Sequence, residues 1–205
     1  MLRALSGFLF CGQVLAASLH PVKSNQFMVV SAQHLASKVG AEILKKGGNA
    51  VDASVAVAYA LAVVYPAAGN LGGGGFMTVK FQKGVETFLD FREKAPLASS
   101  TDMFLDAKGE VIDQLSTRGH LAVGVPGTVA GLEYARKKYG TMSRQSLIAP
   151  AIELAQNGFI LESGDVEMLS VATEDFKKDR EAEAIFLKNG QALKVGDKLV
   201  QKLLA

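Results

Sequence analysis

Apolar positions change their spacing twice between residues 28 and 65, and each change marks an element. The run from Met28 to Val30 is short and apolar, the pattern of a strand, and Ser31 stands where a helix cap belongs. Leu35, Val39 and Ile43 then recur at helical spacing, which predicts a helix with one buried stripe. Gly47 and Gly48 follow as a left-handed stop. Asn49 is a good cap for a second helix, and the carboxylate of Asp52 sits at its positive end. From Ala53 to Val64 almost every residue is apolar, so this helix has no solvent face and belongs inside a layered core. At roughly 15 residues it is too short to cross a bilayer. Pro66 ends it.

After the glycines of "NLGGGGFM" (70–77), residues 76–81 and 85–93 read as two strands of a β-hairpin. Residues 101–127 read as loop and short elements. Thr128 is a candidate cap for a helix running to Tyr139, with Gly140 as its stop. A further helix over 144–157 contains Pro150, which predicts a kink or a break. Residues 163–182 are polar and read as helical. Asn189-Gly190 predicts a tight hairpin between short strands. The closing "VQKLLA" carries no stop signal and reads as a helix cut mid-way. This order predicts an α+β layered fold. Its strands are few for so apolar a core, so either the sheet is small or its other strands lie outside this chain.

With 205 residues, about half of them apolar, one domain or part of a larger one is expected. A net charge of +2 and the absence of tryptophan argue against nucleic acid or a membrane surface as partner. Cys11 is the single cysteine, so no internal disulfide can form. It lies in "MLRALSGFLFCGQVLA", a positive start followed by an apolar run of signal-peptide length. Residues 1–17 are therefore expected to be a signal peptide and 18–205 the remaining domain portion, in a periplasmic or secreted protein.

The glycine run raises the question of a phosphate cradle. A P-loop needs Lys and Ser or Thr directly after its last glycine, but Gly75 is followed by Phe76 and Met77. A dinucleotide fingerprint needs a strand before and a helix after, and here the order is reversed. No helix N-terminus is expected to point back at this loop. Four residues without Cβ instead allow a sharp turn and a close backbone approach. The three histidines, His20, His34 and His120, have no metal-ligand spacing, and no G-x-S-x-G elbow is present. In "LDFREKAP" strand alternation puts Asp90 and Arg92 on one face and Phe91 and Glu93 on the other. Arg92 has two readings there: a structural role, as a pair with Asp90 or a rim charge, or a fork for a substrate carboxylate.

Three segments, "SAQHLASKVGAEILKKGGNAVDASVAVAYALAVVYPAAGNLGGGGFM", "LDFREKAP" and "GVPGTVAGL", closely resemble, in order, the N-terminal part of γ-glutamyltranspeptidases. The resemblance covers roughly residues 28–205. It implies part of the large subunit of an N-terminal-nucleophile hydrolase: a partial αββα sandwich, incomplete in this chain. It also implies a precursor that cuts itself, so that the partner is a small subunit from the same precursor. The new N-terminal threonine of that subunit attacks the γ-glutamyl amide of glutathione or another γ-glutamyl compound. Water, an amino acid or a peptide then accepts the γ-glutamyl group, with no cofactor and no metal. The family's nucleophile lies in a Thr-Thr-His motif, and no threonine of this chain is followed by Thr-His, so no catalytic residue is assigned. Arg92 matches the arginine of the family's "FRE" motif, which implies a substrate-binding role, with Glu93 in support. Two other readings stand beside this one. The first is an acylase or poly-γ-glutamate-processing enzyme on the same scaffold. The second is a non-catalytic carboxylate-binding fragment.

Overall fold

The computed structural model describes residues 22–205. The expected signal segment, 1–17, lies outside the described residues. Residues 28–30 are extended but pair with no strand among the described residues, so the first expected strand does not form a ladder. The side chain of Val29 instead packs where a Cβ on Gly40 would stand. Helix α1 (His34–Lys45) is capped by Gln33 rather than Ser31. Gln33 is the last extended residue, and its Oε1 accepts the Leu35 N–H at 2.6 Å. Ser31 stands too early and donates instead to the Gln33 carbonyl at 2.8 Å. Gly47 ends α1 in the left-handed region, at φ +90°.

Helix α2 (Ala50–Val64) opens with the expected cap in reciprocal form. Asn49 Oδ1 accepts the N–H groups of Val51 and Asp52, and Asp52 Oδ2 accepts the N–H of Asn49. Both orphan ends are satisfied at once. Val55, Ala56, Ala60, Val63 and Val64 are buried, with α1 and α4 (Arg144–Asn157) as the main packing partners of α2 and α3 (Thr128–Tyr139) alongside. Val57, Ala58 and Leu61 are only half-buried and line an open trough. Burial on all sides is therefore met on one side only, because no described layer covers the other.

Asp52 ties this layer together. Besides capping α2, its carboxylate accepts the Thr141 N–H and hydroxyl and the Met142 N–H, all within 3.1 Å. Burial opposes its charge, but these hydrogen bonds outweigh burial and hold the carboxyl below its usual range. Pro150 neither breaks nor splits α4, which runs as one helix. Leu147, Ala151 and Ala155 are buried along it, so packing carries the helix past the lost N–H.

Strands β1 (Phe76–Lys80) and β2 (Glu86–Asp90) form the expected antiparallel hairpin, with Phe76 opposite Asp90 and Thr78 opposite Phe88. Met77, Val79, Thr87 and Leu89 face the helices, while Phe76, Thr78, Phe88 and Asp90 face outward. The polar region after α4 holds α5 (Ser163–Ser170), α6 (Thr173–Phe176) and α7 (Arg180–Phe186). Short ladders join β3 (Phe159–Ile160) to β6 (Lys198–Leu199) and β4 (Leu187–Lys188) to β5 (Gln191–Ala192). The Asn189-Gly190 turn closes the latter with both residues at positive φ, as that dipeptide predicts.

Residues 202–204 form a turn, not the expected helix. The preceding Gln201 is buried, and its Nε2 donates to the Val63 carbonyl at 2.8 Å, fixing this segment across the end of α2. Among the described residues the architecture is mixed helix and strand, in two-stranded sheets with no closed sheet.

Candidate functional site: the glycine-braced hairpin and Arg92

The glycine loop is held from both ends. At its start the chain turns off α2 so tightly that a Cβ on Gly69 would strike the Leu61 carbonyl. Asn70 Oδ1 then accepts the Gly73 N–H at 2.9 Å and the Thr128 hydroxyl at 2.6 Å. The Gly73 carbonyl accepts the N–H groups of Gly127 and Thr128 at 2.8 and 3.0 Å. The N-terminus of α3 therefore does face this loop, contrary to the sequence expectation. The N–H groups of Gly127 and Thr128 are taken by the Gly73 carbonyl rather than offered to an anion, a further ground against the phosphate cradle. Thr128 is correspondingly not the cap but the first helical residue, with Gly127 in the capping position.

At its far end the loop joins the sheet. Gly75 and Phe91 exchange backbone hydrogen bonds of 3.3 and 3.0 Å, extending the β1–β2 ladder by one pair. Phe91 sits in a seat made of glycines. A Cβ on Gly127 would strike its carbonyl, and one on Gly131 or Gly75 would meet its ring. A Cβ on Gly74 would meet the Phe91 carbonyl and the Glu93 amide. Three stretches of backbone, 74–75, 91–93 and 127–131, thus converge because side chains are missing where they cross. The spacing of Gly127 and Gly131, on one face of α3, was the available signal for this seat.

Seating Phe91 inward turns Arg92 outward. Alternation places Arg92 on the face of Asp90 and Phe88, as expected, but Asp90 is not the partner of its guanidinium. Asp90 Oδ1 accepts the backbone N–H of Arg92 at 3.0 Å. The Nε of Arg92 donates to Glu93 Oε2 at 3.3 Å, and the guanidinium stands over the Phe76 ring, 5.7 Å from its centroid. Phe76 in turn stacks on Phe88, with centroids 5.5 Å apart. Neither Nη of Arg92 has a hydrogen-bond partner among the described residues, and the side chain is 64% exposed. It borders a groove of about 490 Å³ between β2 and the start of α3, lined also by Phe88, Asp90, Lys94, Pro126 and Tyr134. A second open trough, of about 590 Å³, runs along the other edge of the hairpin, between β1, α2 and residues 28–30. Chemically, the first groove offers a planar fork whose two Nη groups are free, suited to a carboxylate.

A braced hairpin presenting an arginine beside a helical layer defines a chain of mixed helix and strand, and the comparisons narrow it. The family model described as Gamma-glutamyltranspeptidase matches residues 36–205, and the chain belongs to this family. It is 64% identical over 203 residues to a glutathione hydrolase proenzyme of Pseudomonas sp. (strain A14), covering 98% of this chain and 35% of that protein. It is 50% identical over 187 residues to the glutathione hydrolase proenzyme of Escherichia coli (strain K12), covering 91% of this chain and 32% of that one. Among solved structures, Helicobacter pylori gamma-glutamyltranspeptidase superposes with a TM-score of 0.86 at 48% identity, over 90% of this chain and 53% of that one. The chain thus spans about a third of the length of the curated relatives it matches.

Proposed function

We propose that this chain is the N-terminal part of the large subunit of a γ-glutamyltransferase/glutathione hydrolase precursor. The observation that carries the reading is the continuous family match over residues 36–205, which includes the hairpin bearing Arg92. In this reading the precursor cuts itself, and a small subunit from the same precursor supplies the threonine nucleophile. Its hydroxyl oxygen bonds to the γ-carbonyl carbon and its α-amino group takes the proton. The amide C–N bond then breaks and the amine leaves with a proton. Water or the amine of an amino acid or peptide resolves the acyl-enzyme. Glutathione and other γ-glutamyl compounds are the substrates, with no cofactor. The protein works in the periplasm or after secretion, delivered by residues 1–17.

Arg92 binds the α-carboxylate of the γ-glutamyl group in this proposal. Its Nε is engaged by Glu93 and its two Nη groups are left over, which suits a bidentate contact. The bare outer face of the hairpin and its two unpaired edges support the αββα reading. Further strands of the complete protein cover Phe76 and Phe88 and complete the sandwich.

The test is turnover of a chromogenic γ-glutamyl anilide. The complete precursor is expected to process itself and release the anilide, and residues 18–205 alone are expected to release none. Turnover by the shorter piece, or a complete precursor inert toward every γ-glutamyl amide, overturns the proposal.

A further inference from the structure

We infer that Phe76 is a positioning residue for Arg92: its ring fixes the plane of the guanidinium and so sets affinity for the substrate carboxylate. This rests on the proposed role of Arg92. The guanidinium carbon lies 5.7 Å from the Phe76 centroid, inside the roughly 6 Å range of cation–π attraction. Phe76 is itself held, stacked on Phe88 with an interplanar angle of 22°. Glu93 fixes the same guanidinium at Nε. A ring on one face and a carboxylate at Nε leave the Nη edge as the open side. An arginine so held loses less rotamer freedom on binding than one waving in solvent.

The placement follows from the glycine run. Gly75 pairs with Phe91, so Phe76 comes opposite Asp90, on the outer face that Arg92 shares. Phe76 and Phe88 are 54% and 59% exposed, so filling the core of the described residues is not what accounts for either ring. Of these two outer-face rings, both of which the strands of the proposed sandwich would cover, Phe76 is the one that lies under the arginine, and Phe88 backs it.

The test uses the complete processed enzyme and steady-state kinetics with a γ-glutamyl anilide. Phe76→Leu is expected to raise KM by roughly three- to tenfold, the worth of one partly exposed cation–π contact, with kcat little changed. Phe76→Tyr keeps the ring face and is expected to rescue KM. In an Arg92→Ala background, Phe76→Leu is expected to add nothing. Should Phe76→Leu fail to mature, Phe76→Met supplies similar bulk without a ring. An unchanged KM, failure of tyrosine to rescue, or the same KM increase without Arg92 overturns the inference. If Arg92→Ala alone leaves KM unchanged, the carboxylate reading itself falls. If Arg92→Ala raises KM and the Phe76 variants do not, only the positioning role falls.

Discussion

Asp52 and Arg92 are both charged and both held by neighbours, but they sit in opposite kinds of region. Asp52 is fully buried, and its carboxylate is met by hydrogen bonds from Asn49, Thr141 and Met142. Everything it needs lies within the helical layer. Arg92 stands on the outer face of a hairpin with two donor groups unused, next to aromatic rings that the described residues do not cover. The polar groups that join the helices at Asp52 are satisfied by their own contacts. In the proposed reading the hairpin is completed by what comes to it: a ligand for Arg92 and further strands for its face and edges. Internally satisfied polar groups mark a region that holds shape, and a braced but unsatisfied one marks a region that receives.

Substitutions can break this contrast, and their effects are ranked by how much each side chain is asked to do. Removing the fork comes first. Arg92→Ala is expected to weaken substrate binding by roughly 2–5 kcal/mol, the range for losing one partner of a desolvated charge pair, while the folded enzyme remains. Inhibition constants for a γ-glutamyl analogue, read beside thermal midpoints, check it. The opposite pattern is expected at Asp52. There Asp52→Ala should destabilise by roughly 2–4 kcal/mol, through unsatisfied buried donors and a lost cap, with KM unchanged in whatever enzyme matures.

The same carboxylate gives a signed pH prediction. Its folded pKa lies below the unfolded value. Its contribution is therefore complete above about 3.9, the ordinary aspartate value, and fades as pH falls through the lower folded value. The stability gap between wild type and Asp52→Asn should narrow as pH is lowered from about 5 towards 2 in urea titrations. A gap that widens on acidification would contradict the hydrogen-bonded carboxylate.

Smaller effects belong to the brace between the regions. Gly131→Ala drives a methyl into the Phe91 ring and should cost about 1–3 kcal/mol, the usual range for overpacking. It should also raise KM, because Phe91 and Arg92 are consecutive in the chain that continues β2. Gly72→Ala meets nothing within 4 Å and should change stability by no more than about 0.5 kcal/mol. If Gly72→Ala proved as damaging as Gly131→Ala, the run would be needed for mobility or ligand access rather than for close crossing.

Local chemistry wrote much of the frame. The Asn49–Asp52 cap, the Gly47 stop, the β1–β2 hairpin and the Asn189-Gly190 turn each depend on a few adjacent residues, and each was legible. So was the strand face that Arg92 shares with Asp90, because alternation along a strand needs no tertiary information. The family resemblance was legible too, carried by "GGNAVDA", "NLGGGGFM" and "DFRE" together. What misled was choice among competing neighbours. Ser31 and Thr128 are both sound caps in isolation, yet Gln33 caps α1, and α3 has Gly127 in the capping position with its first N–H groups on the Gly73 carbonyl. Asp90 was a sensible partner for Arg92, but its carboxylate was nearer to a backbone N–H.

The sequence by itself determined the Asn49–Asp52 cap, the β1–β2 hairpin and the Asn189-Gly190 turn, that Arg92 shares a strand face with Asp90, and which family the chain resembles. Only the tertiary structure decided that Asp52 reaches past its own helix to Thr141, that α3 starts on the Gly73 carbonyl, and that Phe91 lies in a glycine seat with Phe76 beneath Arg92. The physical reason is distance along the chain. Caps, turns and alternation are set by residues a few positions apart. These contacts join residues that the sequence separates widely and only folding brings within a hydrogen bond of each other.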